Sequence, residues 1–596
     1  MKKLIFLACS LLCFFQSHAL TGSAYMERFH SFMGWYQQLP LAPDPAFLAF
    51  VKESTPLANK LRDKWLYELA RLKDWPRYTE YYQPSRDINL VCFNHIAHYH
   101  LGHEQEALRD AKSIWLTSES LPQSCTTLFD LFLKNGLFKQ ELITERLALA
   151  LDKRNLHLAR YLLKHYKIPH SKEADLLSQI HQNPKSITRL EPNEFSSLFY
   201  LYGLKRLVST DMEQAIKLWQ QPKTRHIMNE RDQQSFLAHV ALYKAMRGNE
   251  DTPNWFAKVK PSYRTEIVMD WQIRYALKQH QWHHVIALIQ EAKNKNEPCW
   301  QYWLARAHEA LGQKEQAQTL YEPLSRNRHY YGFLASQRLH KKPSMENEHI
   351  NTDLSQLQAY QSIINQIDSY YSSKNYTQAS RLLNDFISEL PKEEASTLVY
   401  WVATRLQWHG KSVYLSNNEL LNNKLALRFP LAYQQLVENY AKQYNMPPEF
   451  VYAIIRQESS FREDAVSGVG ARGLMQVMPT TAKAVSKTSR IDYAHQDQLF
   501  TSQKNIHIGT AYLQQLAKRF ANHPMLIAAA YNAGPRQVVQ WIQNSSSKDM
   551  DLWIETLPWQ ETRNYLKNVM AFSIVYQYRL NHKPNPNPFL TQLKVN

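Results

Sequence analysis

Glu458 closes a segment whose residue order gives a carboxyl an unusual environment. Pro447 and Pro448 suit a helix start, because early helical positions have no amide hydrogen bond to lose. The spacing predicts a helix from there to Glu458, with Val451 and Ile454 on its apolar stripe and Glu458 four residues further along the same face. Desolvation and the negative end of the helix dipole both disfavour a charged carboxylate at that point. A carboxyl held neutral near neutral pH is what a general acid for glycosidic bonds requires. Taken alone, a glutamate near a helix end is more often exposed or salt-bridged, and Arg456 and Arg462 are the partners at hand.

Three further pieces bear on that reading. The run Ser467-Gly468-Val469-Gly470-Ala471-Arg472-Gly473-Leu474-Met475-Gln476-Val477-Met478-Pro479 holds three of the 14 glycines of the chain, which lets backbone turn tightly and approach a ligand. It is no phosphate loop, since no Lys-Ser/Thr follows the last glycine. Ser467 and Gln476 offer neutral hydrogen-bond partners suited to sugar hydroxyls and acetamides. Met475 and Met478 offer soft apolar contact, a type more often found filling cores. Thr480 or Thr481 is expected to cap the next helix. Further on, Ala528 to Ala533 reads as a helix stopped by Gly534 and Pro535, with Tyr531 and Asn532 at its mouth. Finally, Leu557-Pro558-Trp559-Gln560-Glu561-Thr562-Arg563-Asn564-Tyr565 opens a last long helix, with Glu561 in the dipole-favoured first turn.

The elements that must position these residues are helical. Few glycines, against a typical ~7%, and many Leu, Ala, Gln and Lys residues fit helices with short connections. At 596 residues several domains are expected. From Ala24 to His340 apolar residues recur at three and four spacing. The clearest hairpin pairs Trp300, Trp303, Leu304, Ala307 and Ala310 with Ala317 and Tyr321 across a turn at Gly312, and a fainter one turns at Gly102. Stacked hairpins build a curved superhelix. Residues 341–352 read as a linker, 354–428 as a smaller helical segment, and Pro430 opens a different kind of sequence.

Lys2 and Lys3, the apolar run Leu4 to Phe15 and Ser17-His18-Ala19 form the three-part pattern of a secretory signal, assigned to residues 1–19. The run is short for a membrane span, so no stable anchor is expected. Export leaves Cys92, Cys125 and Cys299. Cys92 and Cys125, on what read as neighbouring helices, are expected to pair and leave Cys299 free and buried; three inert apolar cysteines are the alternative. The net charge of +17 suits polyanions. Nucleic acid is disfavoured by the export signal and by the lack of compact basic blocks or zinc-finger spacing. No metal-ligand spacing stands out among the 24 histidines, and no cofactor is expected.

In order and spacing, Glu458-Ser459, Gly473-Leu474-Met475-Gln476, Ala530-Tyr531-Asn532-Ala533-Gly534 and Glu561-Thr562-Arg563-Asn564-Tyr565 resemble the motifs of soluble lytic murein transglycosylases. The likeness extends more loosely to the helical N-terminal region, the Cys92/Cys125 spacing and Tyr330-Tyr331-Gly332-Phe333. It implies an all-α chain with a doughnut-like superhelical domain (20–345), a helical linker domain (354–428) and a lysozyme-like catalytic domain (429–596). It implies Glu458 as acid and base, with Ser459, Ser467, Met475, Gln476, Met478, Tyr531, Asn532, Glu561 and Tyr565 as substrate-binding residues. Tyr531 would stabilise the reacting sugar and Glu561 would help hold N-acetylmuramic acid. The substrate implied is the glycan strand of peptidoglycan in the periplasm, where the basic charge meets stem-peptide carboxylates. A monomer is expected, with other cell-wall enzymes as conceivable partners.

Ordinary glycosidases use two carboxylates, but no matching motif gives Glu458 a second one, and nothing marks Asp464 for that role. The implied reaction therefore has the sugar attack itself and end in a 1,6-anhydromuramic product. A hydrolytic muramidase and a non-catalytic periplasmic scaffold remain as alternatives.

Overall fold

The computed structural model describes residues 22–593 apart from 137, 167 and 546, so the expected signal with Cys9 and Cys13 lies outside the described residues. Among those described, regular structure consists of 33 α-helices and short 3-10 turns, and β-type pairing is limited to two isolated bridges, Val466 to Arg472 and Arg472 to Val477. The all-α expectation holds. No helix among these residues is long and apolar enough to cross a membrane.

The helices gather into two compact units, each discontinuous in sequence: the described residues up to Gln83 with His349–Arg428, and Pro84–Glu348 with the described residues from Phe429 onward. This grouping differs from the consecutive division read along the chain, and a single carboxylate shows why. Asp385, wholly buried in the first unit, accepts hydrogen bonds from the Tyr25 hydroxyl at 2.6 Å and the Leu57 amide at 2.7 Å, and pairs with Arg28 at 2.9 Å. Leu57 lies in the first turn of the helix Pro56–Leu72, so Asp385 also meets the positive end of that helix. Local periodicity carries no sign of a contact between residues 360 positions apart.

In the second unit the two hairpins fold as read. Helices Ile88–His100 and Glu104–Trp115 turn at Gly102, and Pro298–Ala310 and Lys314–Ser325 turn at Gly312. Trp300, Trp303, Ala307, Ala317 and Tyr321 are buried, whereas Ala310 is exposed at the helix end. Gly332 opens the helix Tyr330–Arg338 in a place without room for a side chain: a Cβ there would lie 1.9 Å from the Asn327 carbonyl oxygen. Cys92 and Cys125 form the expected disulfide. Cys299 is free; the residue is half-buried and not fully buried as expected, although its surroundings push the thiol up to about 12 by desolvation. Residues 341–353 carry no helix.

The helix Met550–Thr556 places two carboxylates inside this unit. Glu555, 1% exposed, meets Lys567 at 2.8 Å, Arg274 at 3.1 Å and the Tyr331 hydroxyl at 2.7 Å. Burial opposes its charge, but Lys567 and Arg274 outweigh that and hold the carboxyl well below the usual range. Asp551 accepts from the Tyr302 hydroxyl at 2.7 Å and faces Arg306 and Arg338.

Candidate active site

The helix Pro448–Glu458 starts at the second proline and ends on Glu458, as the residue order predicts. Val451, Ile454 and Ile455 are fully buried, which seats the helix and fixes where its last carboxyl emerges. Immediately beyond it, Ser460 and Phe461 both adopt positive φ, 51° and 67°. Two consecutive non-glycine residues in the left-handed region store strain of the kind that concentrates at functional sites. Arg456 is drawn into holding this turn: it donates to the Ser460 hydroxyl at 2.7 Å and its guanidinium lies over Phe429 and Phe572. Arg462 pairs with Asp464 at 3.4 Å on the surface.

Glu458 as a residue is half-buried, but protein atoms crowd its carboxyl. Desolvation pushes the carboxyl up to about 7; the Tyr565 hydroxyl, donating to Oε1 at 2.7 Å, pulls the other way, and the charge of Glu561 adds a push upward. Tyr565 is 5% exposed and comes from the helix Gln560–Arg579, which packs along Pro448–Glu458. The tyrosine nearest in chemistry to the acid is therefore Tyr565. Tyr531 donates instead to the Met475 carbonyl at 2.7 Å, while still sensing the Glu458 charge.

The glycine-bearing loop is fixed from several sides. Asn505, wholly buried, accepts from the Met475 amide at 2.7 Å and donates to the Arg472 and Leu499 carbonyls. Gly473 has φ +73°, and a Cβ there would sit 2.1 Å from the Leu499 carbonyl oxygen and 2.3 Å from Asn505 Nδ2. Gln476, at φ 48°, donates its amide to the Ala465 and Gly473 carbonyls, both at 2.9 Å. We expect Gly473→Ala to destabilise the protein by about 2 kcal/mol or more, from forced positive φ and overpacking. Gly468→Ala, with ordinary φ and open space, should lie within about 0.5 kcal/mol of the parent in the same denaturant titration.

These contacts correct several expectations. Met475 is fully buried against Gly509, so its side chain is core and not a glycan-facing surface. Ser459 is 8% exposed and spends its hydroxyl on the Leu474 carbonyl at 2.7 Å, tying the end of the acid-bearing helix to the loop. Thr480 and Thr481 lie inside the helix Pro479–Ser489, whose N-cap is Met478, because Pro479 already supplies the helix start. Ser467 accepts from the Ala471 amide at 3.0 Å, and Asn532 accepts from the Thr562 hydroxyl at 2.7 Å. Met478 is half-buried and Glu561 exposed. Asn505 was legible only as a short polar residue within a long helix, and Tyr512, whose ring lies tilted against that of Tyr531 at 5.4 Å, left no separate signal.

An all-helical lobe that sets one desolvated glutamic acid at a helix terminus, held by the Tyr565 hydroxyl, is a site suited to general acid chemistry. The transglycosylase SLT domain family matches residues 435–554, and the soluble lytic transglycosylase helical domain matches 556–585. Over 548 residues the chain is 29% identical to the soluble lytic murein transglycosylase of Escherichia coli, covering 89% of this chain and 83% of that one. The Salmonella typhimurium protein of the same name is 28% identical over 564 residues, covering 91% and 86%. Among solved structures, the inactive glutamate-to-glutamine mutant of the lytic transglycosylase Slt from Pseudomonas aeruginosa aligns with a TM-score of 0.79 at 27% identity, covering 96% of this chain and 97% of that one. The 70 kDa soluble lytic transglycosylase from Escherichia coli aligns at 0.72 and 26%, covering 95% and 94%. The chain belongs to the soluble lytic murein transglycosylases and is a lytic transglycosylase of peptidoglycan.

Proposed function

We propose that Glu458 acts alone, first as acid and then as base, on the β-1,4 bond between N-acetylmuramic acid and N-acetylglucosamine. Its neutral carboxyl protonates the bridging oxygen as that bond breaks, and the 2-acetamido group stabilises the sugar cation. The resulting carboxylate takes the proton of the C6 hydroxyl of the same sugar, whose oxygen closes onto C1 to give the 1,6-anhydromuramic end. The observation that carries this is the Glu458 carboxyl itself, pushed up to about 7 by burial, while Asp464 and Glu561 stand exposed. Two-carboxylate chemistry needs a second group held at the reacting carbon; an intramolecular hydroxyl gains from proximity instead. The Pseudomonas aeruginosa relative that a glutamate-to-glutamine change leaves inactive supports a single essential glutamate.

On this reading Tyr565 orients Glu458, Tyr531 fixes the loop that carries Gln476, and Glu561, Ser467, Met478 and Asn532 border the sugar. The division into 20–345, 354–428 and 429–596, export to the periplasm and a monomeric state belong to the same proposal, with cell-wall enzymes as candidate partners. Mass spectrometry of products from purified sacculi tests it: muropeptides lighter by one water than the hydrolysed form are expected, and products at the hydrolysed mass would point to a muramidase.

The pH profile offers a second check. Glu458 must be protonated to start, so kcat/KM should fall as pH rises through about 7. Tyr565→Phe removes the bond that favours the carboxylate, so that limb should move to higher pH. Glu561→Gln removes a repelling charge, so the limb should move to lower pH. Shifts of the same sign in both variants would contradict the arrangement.

A further inference from the structure

Two adjoining cavities in the second unit, of about 160 Å³ and about 450 Å³, share His157 and Tyr161. The smaller lies among the helices Gln123–Lys134, Gln140–Asp152 and Leu156–Leu163, and Ser120, Phe129 and Arg146 help to line it. The larger opens beside it along Leu156, Arg160 and Lys164. Neither has an acidic side chain among its described lining residues.

Arg146 is 2% exposed. Its guanidinium lies over the Trp115 ring at 4.5 Å and the Phe129 ring at 5.9 Å, and Trp115 is itself fixed by its indole N–H to the Leu142 carbonyl at 2.7 Å. A guanidinium offers five N–H groups. Here Nη2 donates to the Glu119 carbonyl at 3.2 Å and Nε is buried without a partner, whereas Nη1 keeps accessible surface and finds no acceptor among the described residues. Burial pulls the group down to about 10, with no carboxylate to offset it. Aromatic faces recover part of the cost of such a buried cation but answer none of its N–H groups. Asp130, on the same helix as Phe129, faces His165 instead at 3.9 Å, and Asp175 meets Arg160 only at 3.7 Å on the surface. A charged donor held in place, with one open edge and no counter-charge, is suited to an anion from outside the chain.

We propose that the inner cavity binds a phosphoryl group, with Arg146 as its buried counter-charge and Arg160 and Lys164 as cations at the mouth. Three cations without an acid suit an oxyanion of more than one charge, and the guanidinium fork matches phosphate oxygens. The hydroxyls of Ser120 and Tyr161 line the same space as further donors. The outer cavity leaves room for the body of a phosphate monoester, so the anion is free phosphate or the head of such an ester. No residue of this site belongs to the glycan site, and the proposal does not depend on Glu458.

Calorimetric titration of the full-length protein at constant ionic strength with inorganic phosphate, glucose 6-phosphate, glucose and acetate tests it. Phosphate, its ester or both should bind in the millimolar range or tighter, acetate at least about tenfold more weakly, and glucose not at all. Tighter binding of the ester assigns the outer cavity to the ester's body, and equal affinity assigns the site to the free anion. Arg146→Met keeps an apolar stem against Trp115 and removes the buried charge, so stability should be retained while phosphate affinity falls at least about tenfold. Arg160→Gln with Lys164→Gln, both at exposed positions, should weaken binding about threefold with little risk to folding. Failure of the parent protein to bind phosphate or the ester, acetate binding as tight as phosphate, or affinity unchanged in Arg146→Met would each overturn the proposal.

Discussion

Glu458→Gln is expected to lower the rate of sacculus lysis by at least roughly 10³-fold while leaving the protein folded. The amide is close to isosteric, keeps an acceptor for the Tyr565 hydroxyl, and removes the one proton that the reaction hands out and takes back. A general acid or base is worth about 10² to 10⁴ in rate, and here a single group serves in both directions. Stability should move the opposite way. The carboxyl is raised from 4.5 to about 7 in the folded protein, so the fold favours its neutral form. That contribution is fully present below pH 4.5 and is lost as pH rises through about 7, by up to about 3 kcal/mol. Glutamine carries no such penalty, so the variant should match the parent at pH 4 and exceed its stability at pH 8, as read by denaturant titration at each pH. Loss of activity with unchanged or greater stability isolates the chemistry from the scaffold. Retained lysis would remove Glu458 from the mechanism.

The largest effect on stability should come from Glu555→Ala. This carboxylate is the shared partner of Lys567, Arg274 and the Tyr331 hydroxyl, and its removal leaves Lys567 without a counter-charge and the buried Arg274 with Asp270 alone, at 3.6 Å. Breaking a buried pair on one side typically costs 3–5 kcal/mol, enough to consume much of an ordinary folding free energy. Because the folded carboxyl is held below its usual range, its stabilisation is present above about pH 4.5 and is lost as pH falls below that. A second substitution, Lys567→Met, should recover part of the loss, since it removes the stranded charge. Additive losses in the double variant would contradict the network. Activity should suffer too, because Lys567 and Tyr565 share the helix Gln560–Arg579, and Arg563 of that helix stacks on Trp271 at 5.4 Å.

The acid-bearing helix was legible in the sequence to within a residue at its start and to the residue at its end, because prolines, apolar spacing and a terminal carboxyl are all local signals. The hairpins at Gly102 and Gly312 were legible for the same reason, and so was the disulfide. What remained hidden depends on contacts between distant segments. Asp385 binds Tyr25 and Leu57, 360 and 328 positions before it, and Asp551 and Glu555 meet Arg306 and Arg274, each more than 200 positions away. Within the site, residue type misled where tertiary contacts consumed the group in question. Ser459 and Met475 look like ligand-facing residues in a motif, but a neighbouring carbonyl and Gly509 claim them first. The electrostatic reading of Glu458 found the dominant cause, desolvation, and missed that Tyr565 and Glu561 bias it in opposite directions.

The central claim concerns one proton, and it is measured most directly by titrating the Glu458 side-chain carboxyl with carbon NMR in the full-length protein, using Glu458→Gln to assign the resonance. An apparent pKa near 7 is predicted. A carboxyl that titrates near 4.5, as an ordinary solvated glutamate does, would leave the enzyme without its acid at neutral pH and contradict the account.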